Sequence, residues 1–316
     1  MALDDQIQKT HEAALKKGEL IFTDTTVETF SEDGVEYELR LVPQLEKKPV
    51  QASNEESSDK SAKPTNPFLP YNPDLCVTEL EKHVVLLNKF CVVPGHLLVV
   101  TKEFERQSLP INPSDFAALW KTMTSVHKQK TLGFYNSGPM SGASQPHKHM
   151  QILPLEKLEV PPMDQFFVNT KLVPGKTSQL PGLPFLHYGV LFDQEKIKEL
   201  KEPEAVGEYL VDLYSDLLDS VFENVAKYHL GEGIRLEGPV SYNLLVTSTW
   251  MLIVPRKEEK FGQISVNSLG FSGMLLFRSQ EDLDLVKRIG YMRLLSSLTY
   301  PLPNAEPVKS EPLPAL

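Results

Sequence analysis

Cysteine is nearly missing from this chain. Its 316 residues include only Cys76 and Cys91, too few for a disulfide framework and too far apart for a Cys-x-x-Cys zinc site. Two unpaired thiols fit a reducing compartment. Positive charge is short as well: 32 Lys and Arg against 42 Asp and Glu leave a formal charge of −10 at pH 7. That balance disfavours nonspecific binding to nucleic acid or to an anionic membrane surface. It leaves room for a small anion held in a local cleft. No run approaches the roughly 20 apolar residues that a membrane span needs. The opening MALDDQIQKTHEAALKKG is too polar and acidic for a signal peptide. A cytoplasmic location, extending to the nucleus, is therefore the expectation. No Gly-x-Gly-x-x-Gly or Walker-type loop follows a strand, so the two common nucleotide-binding folds have no support.

What the chain does contain is an ordinary globular composition, 41% hydrophobic and 23% charged, with length enough for one large domain. Residues 1–17 read as a short amphipathic helix stopped by Gly18. Val35 to Val42 alternates and reads as a strand. The polar segment from Val50 to Lys63 is too hydrophilic to pack and is expected to be a disordered loop. HVVLLNKF and HLLVVTK flank Pro94-Gly95 and predict an antiparallel strand pair. NPSDFAALWKTMTSVHKQK begins with capping residues and predicts a helix with an apolar stripe through Phe116, Leu119, Trp120, Met123 and Val126. Pro154 to Pro184 predicts an extended connection, and FLHYGVLF (185–192) a strand. A long amphipathic helix follows through Val206, Tyr209, Leu213, Leu217, Val221 and Val225. SYNLLVTSTWMLIVPR predicts a hairpin, FGQISVNSLGFSGMLLFR two short strands about a bend, and SQEDLDLVKRIGYMRLLSSL one final helix. The tail from about 300 to 316 is expected to be loose.

Strands that come in consecutive pairs with helices between the pairs predict an α+β fold with a mainly antiparallel sheet. The expected organisation is a single catalytic domain over 1–316. LLNKFCVVPGHLLVV and NLLVTSTWMLIVP, both paired apolar strands, hint at two related halves.

The chemistry concentrates in SGASQPHKHMQILPL (Ser141–Leu155). Residues two apart in a strand share a face, so His147, His149 and Gln151 are expected on one side and Lys148, Met150 and Ile152 on the other. Three polar groups in a row make poor core, because each needs a partner once buried. The ordinary alternative is a strand whose polar face meets solvent, and a bare His-x-His favours it. A metal site lacks a third ligand nearby. The preceding loop shifts the balance. Ser137, Gly138, Ser141, Gly142, Ala143 and Ser144 expose backbone N–H groups with little steric cover, a pattern that can nest a phosphate. A neutral imidazole beside that phosphate can attack phosphorus.

HKHMQ resembles the His-x-His-x-Gln motif of the nucleotidyltransferase branch of the histidine triad superfamily. LLNKFCVVPGHLLVV resembles that superfamily's nucleotide-binding strand and Pro-x-His-x-Leu-Val segment. FYNSGPMSGASQPHKHMQI, SYNLLVTSTWMLIVPR and NSLGFSGM together resemble the fungal diadenosine tetraphosphate phosphorylases, also called ATP adenylyltransferases, over most of the chain from Val35 to about Leu298. The resemblance implies a histidine-triad, hexose-uridylyltransferase-like fold. It implies phosphorolysis of diadenosine tetraphosphate to ATP and ADP, with His149 carrying the adenylyl group and phosphate or a sulfate-like anion accepting it. Gln151 stands where hydrolase members have a third histidine. An amide donates a hydrogen bond but shuttles no proton at neutral pH, which favours transfer over hydrolysis. His147 would orient the nucleophile or the loop. By the same match Asn136 and the run Gly142, Ala143, Ser144, Gln145 would hold polyphosphate. Asn88 and Lys89 would reach ribose and phosphate, and Lys48 a phosphate. Asn267, Ser268 and Leu269, with Met274 and Arg278, would close over the substrate.

His96 reads as structural. The expected ligands are a dinucleoside polyphosphate, ATP, ADP and phosphate, bound by a monomer with no protein-bound cofactor. A divalent cation such as Mg2+ could travel with the substrate. Two rivals stay open: a hexose-1-phosphate uridylyltransferase-like enzyme, and a non-catalytic sensor of adenine nucleotides.

Overall fold

The computed structural model describes residues 2–42, 66–156 and 158–303. Helix α1 (Leu3–Lys17) carries Asp4 and Asp5 in its first turn and Lys16 and Lys17 in its last, charges that suit the helix dipole. Gly18 closes it in the left-handed conformation at φ 74. After β1 (Ile21–Phe22) comes a hairpin of β2 (Thr26–Glu32) and β3 (Val35–Leu41), joined at Asp33-Gly34 with both residues at positive φ. The sequence predicts β3 alone. Much of β2 is exposed and polar, so it carries little hydrophobic alternation to read.

The middle of the chain supplies β4 (Cys76–Glu79), β5 (His83–Leu87), β6 (Phe90–Cys91), β7 (Leu97–Thr101), helix α2 (Pro113–Thr124), β8 (Thr131–Ser137) and β9 (His149–Pro154). Asn112 and Asp115 form a reciprocal capping box at the start of α2. The remainder adds α3 (Asp164–Val168), β10 (Tyr188–Leu191), α4 (Gln194–Glu199), the 29-residue α5 (Pro203–Gly231), β11 (Ser241–Val246) and β12 (Trp250–Arg256). Then come β13 (Lys260–Phe261), β14 (Ile264–Ser265), α6 (Ser268–Ser272), β15 (Met274–Phe277), α7 (Gln280–Ile289) and α8 (Tyr291–Ser297).

Three expectations need correction. The bend in FGQISVNSLGFSGMLLFR is a helical turn, α6, capped by the Asn267 side chain. The single final helix is two, because Gly290 (φ 97, ψ 143) breaks it and the Glu32 carboxylate accepts hydrogen bonds from the first N–H groups of α8, Tyr291 and Met292. The tail is not loose at its start: Tyr300 is buried and Pro301 bridges Phe185. The predicted loop over 50–63 and the tail beyond 303 lie outside the described residues.

Eight strands form one sheet in the order β10-β12-β11-β8-β9-β7-β5-β4, every neighbouring pair antiparallel. β15, β3 and β2 form a separate three-stranded sheet in which β15 and β3 run parallel. The fold is thus α+β with a large antiparallel sheet, as the paired strands predict. One face of the large sheet packs on α2 and α5 through Tyr135, Met150, Ile152 and Leu244. The other face carries two apolar patches. One, with Phe134, Leu153 and Leu252, lies under the three-stranded sheet and α6 to α8. The other gathers Phe68, Val84, Leu86, Leu98 and Val100. Val100 pairs with His149, and Leu98 and Phe134 both pair with Gln151. Facing residues of an antiparallel pair share a side, so the polar row lies between the two apolar patches.

Lys148, expected on the opposite face with Met150 and Ile152, brings a charge into the interior. It is buried, and its Nζ lies 2.6 Å from Asp115 Oδ2, 3.1 Å from Glu105 Oε2 and 2.8 Å from the Pro110 carbonyl. Asp115 Oδ1 is 2.7 Å from His83 Nε2. Burial pushes the Asp115 carboxyl up, but His83 and Lys148 outweigh it and hold the group below its usual range. The cluster pins the start of β9 to the N-terminus of α2. Lys148→Met should therefore cost roughly 3–5 kcal/mol of stability by stranding a buried carboxylate. Urea unfolding checks this, and a cost below about 1 kcal/mol would contradict it.

Candidate active site

His149 opens β9 and is all but buried, with the Phe68 ring 5.3 Å from its own. Its Nδ1 lies 2.8 Å from the His147 carbonyl oxygen. A carbonyl can only accept, so Nδ1 carries the proton and Nε2 holds the lone pair. Nε2 has no hydrogen-bond partner among the described residues. Burial is the main cause pushing this imidazole down to about 4, opposed by the bond to His147. At neutral pH His149 is an uncharged ring of fixed tautomer with one open nitrogen.

His147 is spent on structure. Its Nε2 faces the carbonyls of Thr101 at 2.9 Å and Glu103 at 3.1 Å, so that nitrogen donates. Its Nδ1 then accepts from Asn66 Nδ2 at 3.0 Å, an amide whose orientation is set because Asn66 Oδ1 takes the Phe68 N–H. His147 precedes β9 and bridges Arg106, outside the named strand. The row is therefore two residues of strand, His149 and Gln151, plus a buried ring that supplies a carbonyl.

Two amides, those of Gln151 and Asn136, share the sheet face of the His149 ring, and each has its oxygen locked away. The first chain starts at the Phe90 N–H, which donates to Asn88 Oδ1 at 3.2 Å. Asn88 Nδ2 must then donate to His96 Nδ1 at 3.2 Å, which leaves His96 Nε2 to donate to Gln151 Oε1 at 3.0 Å. Gln151 consequently turns its NH2 outward. Burial pushes the His96 imidazole down to about 4, consistent with the single proton this chain requires. The second chain ends on Asn136. Its Oδ1 accepts from the Ser268 N–H at 3.0 Å and Asn243 Nδ2 at 2.8 Å, with Ser268 Oγ at 2.6 Å. Asn243 Oδ1 in turn accepts from Arg256 Nη1 at 2.6 Å. Asn136 thus also presents only N–H donors.

The loop after β8 completes the donor set. None of the backbone N–H groups of Gly142, Ala143, Ser144 and Gln145 finds an acceptor among the described residues. Gly142 is left-handed at φ 76, and a Cβ there would sit 2.9 Å from Asn267 Cβ. The loop is folded against α6 in a form that only glycine allows. Consecutive unpaired N–H groups of this kind make an anion-binding nest.

The structure brings together Asn88, Asn136, His149 and Gln151 on one face of the sheet, with Asn267 and Ser268 at its border. Lys89 is exposed, 5.9 Å from the centre of the Phe90 ring. Leu269 lies in α6 just after Ser268. Met274 and Arg278 belong to β15 and its end, on the smaller sheet, and share no hydrogen bond with the row among the described residues. Lys48 lies outside the described residues. Sequence reasoning misses Asn243, Arg256 and Gln107, and takes His96 as mere packing. Asn243 had a legible signal, a lone amide in the apolar run of β11. The others become partners only on folding.

His149, His96 and His187 are all buried, each pushed down to about 4 by burial first of all. An unfolded histidine titrates near 6.5. Between those values the unfolded chain binds more protons than the folded one, so stability is full above about pH 6.5 and falls as pH drops toward 4. Chemical denaturation from pH 7 to 4.5 should show a steep loss, on the order of a few kcal/mol. A flat profile would contradict the buried neutral rings.

Among the described residues no helix is long and apolar enough to cross a membrane, and no group of three His, Cys, Asp or Glu is arranged to hold a metal ion.

Comparison with known proteins identifies a family and a fold. The family model for the Ap4A phosphorylase N-terminal domain matches residues 1–168, and that for the ATP adenylyltransferase C-terminal domain matches residues 181–301. Two Saccharomyces cerevisiae proteins are each 30% identical to the chain. Protein APA1 aligns over 287 residues, 87% of this chain and 86% of the relative. Diadenosine 5',5'''-P1,P4-tetraphosphate phosphorylase 2 aligns over 309 residues, 88% of each. The crystal structure of yeast Ap4A phosphorylase Apa2 superposes with a TM-score of 0.76 at 25% identity, covering 95% of this chain and 99% of that one. The structure of the same enzyme in complex with Ap4A gives a TM-score of 0.75 at 26% identity over the same shares.

Proposed function

The chain belongs to the Ap4A phosphorylase (ATP adenylyltransferase) family, and from that premise we propose that it carries its adenylyl group on His149 while it phosphorolyses diadenosine tetraphosphate to ATP and ADP. The observation that carries the assignment is the open Nε2 of a neutral imidazole whose Nδ1–H is held by the His147 carbonyl. Nε2 attacks the phosphorus next to one adenosine, the N–P bond forms, and the P–O bond to the departing ATP breaks. The imidazolium left on the enzyme keeps its Nδ1–H on the carbonyl of His147, which stabilises the developing charge. Inorganic phosphate then attacks the same phosphorus, a P–O bond forms, and His149 leaves with its lone pair restored as ADP departs.

Both leaving groups are weakly basic and need no strong general acid. The work falls to fixed donors aimed where charge builds up in the transition state. Gln151 and Asn136 supply outward NH2 groups. The N–H groups from Gly142 to Gln145 suit the polyphosphate. Asn88, with its remaining Nδ2 hydrogen, and exposed Lys89 suit the ribose and phosphate at the end of β5. Asn267, Ser268, Leu269, Met274 and Arg278 would border the nucleotide from the C-terminal side, and Lys48 would reach a phosphate from the segment after β3. His147 acts through its carbonyl and takes no part as acid or base.

Gln151 also favours the acceptor. Its amide gives water no base, whereas phosphate dianion needs none. Sulfate and arsenate should serve in the second step for the same reason of charge and shape. Pure protein with diadenosine tetraphosphate should yield equal ATP and ADP only when phosphate is present. AMP and ATP formed regardless of phosphate would mean hydrolysis and overturn the reading.

A further inference from the structure

β8 and β9 do not stay paired to their ends. Their register runs Thr131↔Pro154, Leu132↔Leu153, Gly133↔Ile152 and Phe134↔Gln151. Continued by two residues, it would place Asn136 directly opposite His149. That rung is absent, and a side chain occupies it. The His149 N–H donates to Gln107 Oε1 at 2.8 Å, while Gln107 Nε2 donates to the Asn136 carbonyl at 2.9 Å and to the His149 carbonyl at 3.1 Å. The Gln107 amide bonds through its oxygen and both its nitrogen hydrogens, and it satisfies backbone groups that the strands would otherwise give each other.

Gln107 is itself buried and held from behind. Its N–H donates to the Pro146 carbonyl, its carbonyl accepts from the Tyr135 hydroxyl at 2.5 Å, and the neighbouring Arg106 bridges His147. The wedge is therefore anchored to β8 and to the lead-in of β9 together.

We infer that Gln107 is a positioning residue that holds the backbone of His149 away from that of Asn136 by the width of one amide group, opening the slot in which the reacting phosphate sits. Directly paired strands bring facing Cβ atoms to about 4.5–5.5 Å, too close for a phosphate between an imidazole and an amide. An inserted amide widens that gap by roughly one strand spacing, about 4.8 Å. It does so without leaving a buried N–H or C=O unpaired, which would otherwise oppose the opening. Nothing in the primary structure around Gln107 signals this, since its partners lie 29 and 42 residues away.

The inference rests on His149 and Asn136 both serving the same phosphate, and its test separates the two ideas. Gln107→Met keeps the length and removes every bond. Gln107→Glu keeps the acceptor for the His149 N–H and removes the donors to the carbonyls of Asn136 and His149. Both variants and the unaltered protein would be assayed for diadenosine tetraphosphate phosphorolysis and for AMP binding, and Gln107→Met would be crystallised. The expected result is a fall in kcat of about 10- to 100-fold, of the size a displacement near 1 Å produces. KM should change less than kcat, and β8 and β9 should be zipped or shifted at Asn136 and His149. Should Gln107→Met fail to fold, Gln107→Glu carries the kinetic test. A purely structural wedge would lower the melting temperature and leave kcat per folded molecule within about twofold, and that result overturns the inference. Strands that stay apart in the crystal overturn it too. If the unaltered protein shows no phosphorolysis, the proposed function fails, while the strand separation in the variant crystal still decides the role of Gln107.

Discussion

Replacing His149 with alanine is expected to lower phosphorolysis of diadenosine tetraphosphate by about ten-thousand-fold or more, the scale on which loss of an enzyme nucleophile acts. No neighbour can take its place. His147 has both ring nitrogens engaged with Asn66 and with the carbonyls of Thr101 and Glu103. His96 is tied between Asn88 and Gln151. Nucleotide binding should survive within a few-fold, because the donors assigned to phosphate are amides and backbone N–H groups. Steady-state assay alongside calorimetric titration with AMP separates the two effects. Turnover within tenfold of the unaltered protein would move the nucleophile elsewhere.

Asn136→Asp is expected to cost about 10²- to 10³-fold in kcat/KM, comparable to removing a fixed donor from a transition-state site. The substitution is isosteric. One carboxylate oxygen can still accept from Ser268 N and Asn243 Nδ2, as Asn136 Oδ1 does now. The other replaces an outward NH2 with a negative oxygen facing a polyphosphate. Stability should change little, whereas Asn136→Ala would strand buried donors at about 1–3 kcal/mol. Kinetics and urea unfolding of both variants distinguish donor chemistry from packing. A loss below tenfold in Asn136→Asp would show that this amide does not face the reacting charge.

The site was legible where its residues are close in sequence and illegible where folding brings them together. HKHMQ puts His149 and Gln151 on one face by strand periodicity alone, and the glycine-serine loop before it points to an anion. The same periodicity runs the strand back through His147, whereas the named strand begins at His149 and the residues before it bend away to pair with Arg106 and Glu105. It places Lys148 on the opposite face without finding its partner, since no pattern reveals that Asp115, 33 positions away, is buried beside it. The locks on the amides depend on non-local contacts, His96 with Gln151 and Asn243 with Asn136, 55 and 107 residues apart. The antiparallel strand pairs and the long helix α5 carried strong hydrophobic periods and emerged as predicted. β2 and the break at Gly290 did not, because one is polar and the other is set by a carboxylate, Glu32, from a distant strand.

The most direct test is to mix the protein briefly with diadenosine tetraphosphate in the absence of phosphate, quench, and map any adenylyl adduct by mass spectrometry under conditions that spare the P–N bond. The account predicts a transient adduct on the peptide containing residues 147–151, assigned to His149 and discharged as ADP when phosphate is added. An adduct on another residue, or none at any time point in a protein that forms ATP and ADP once phosphate is supplied, would contradict it.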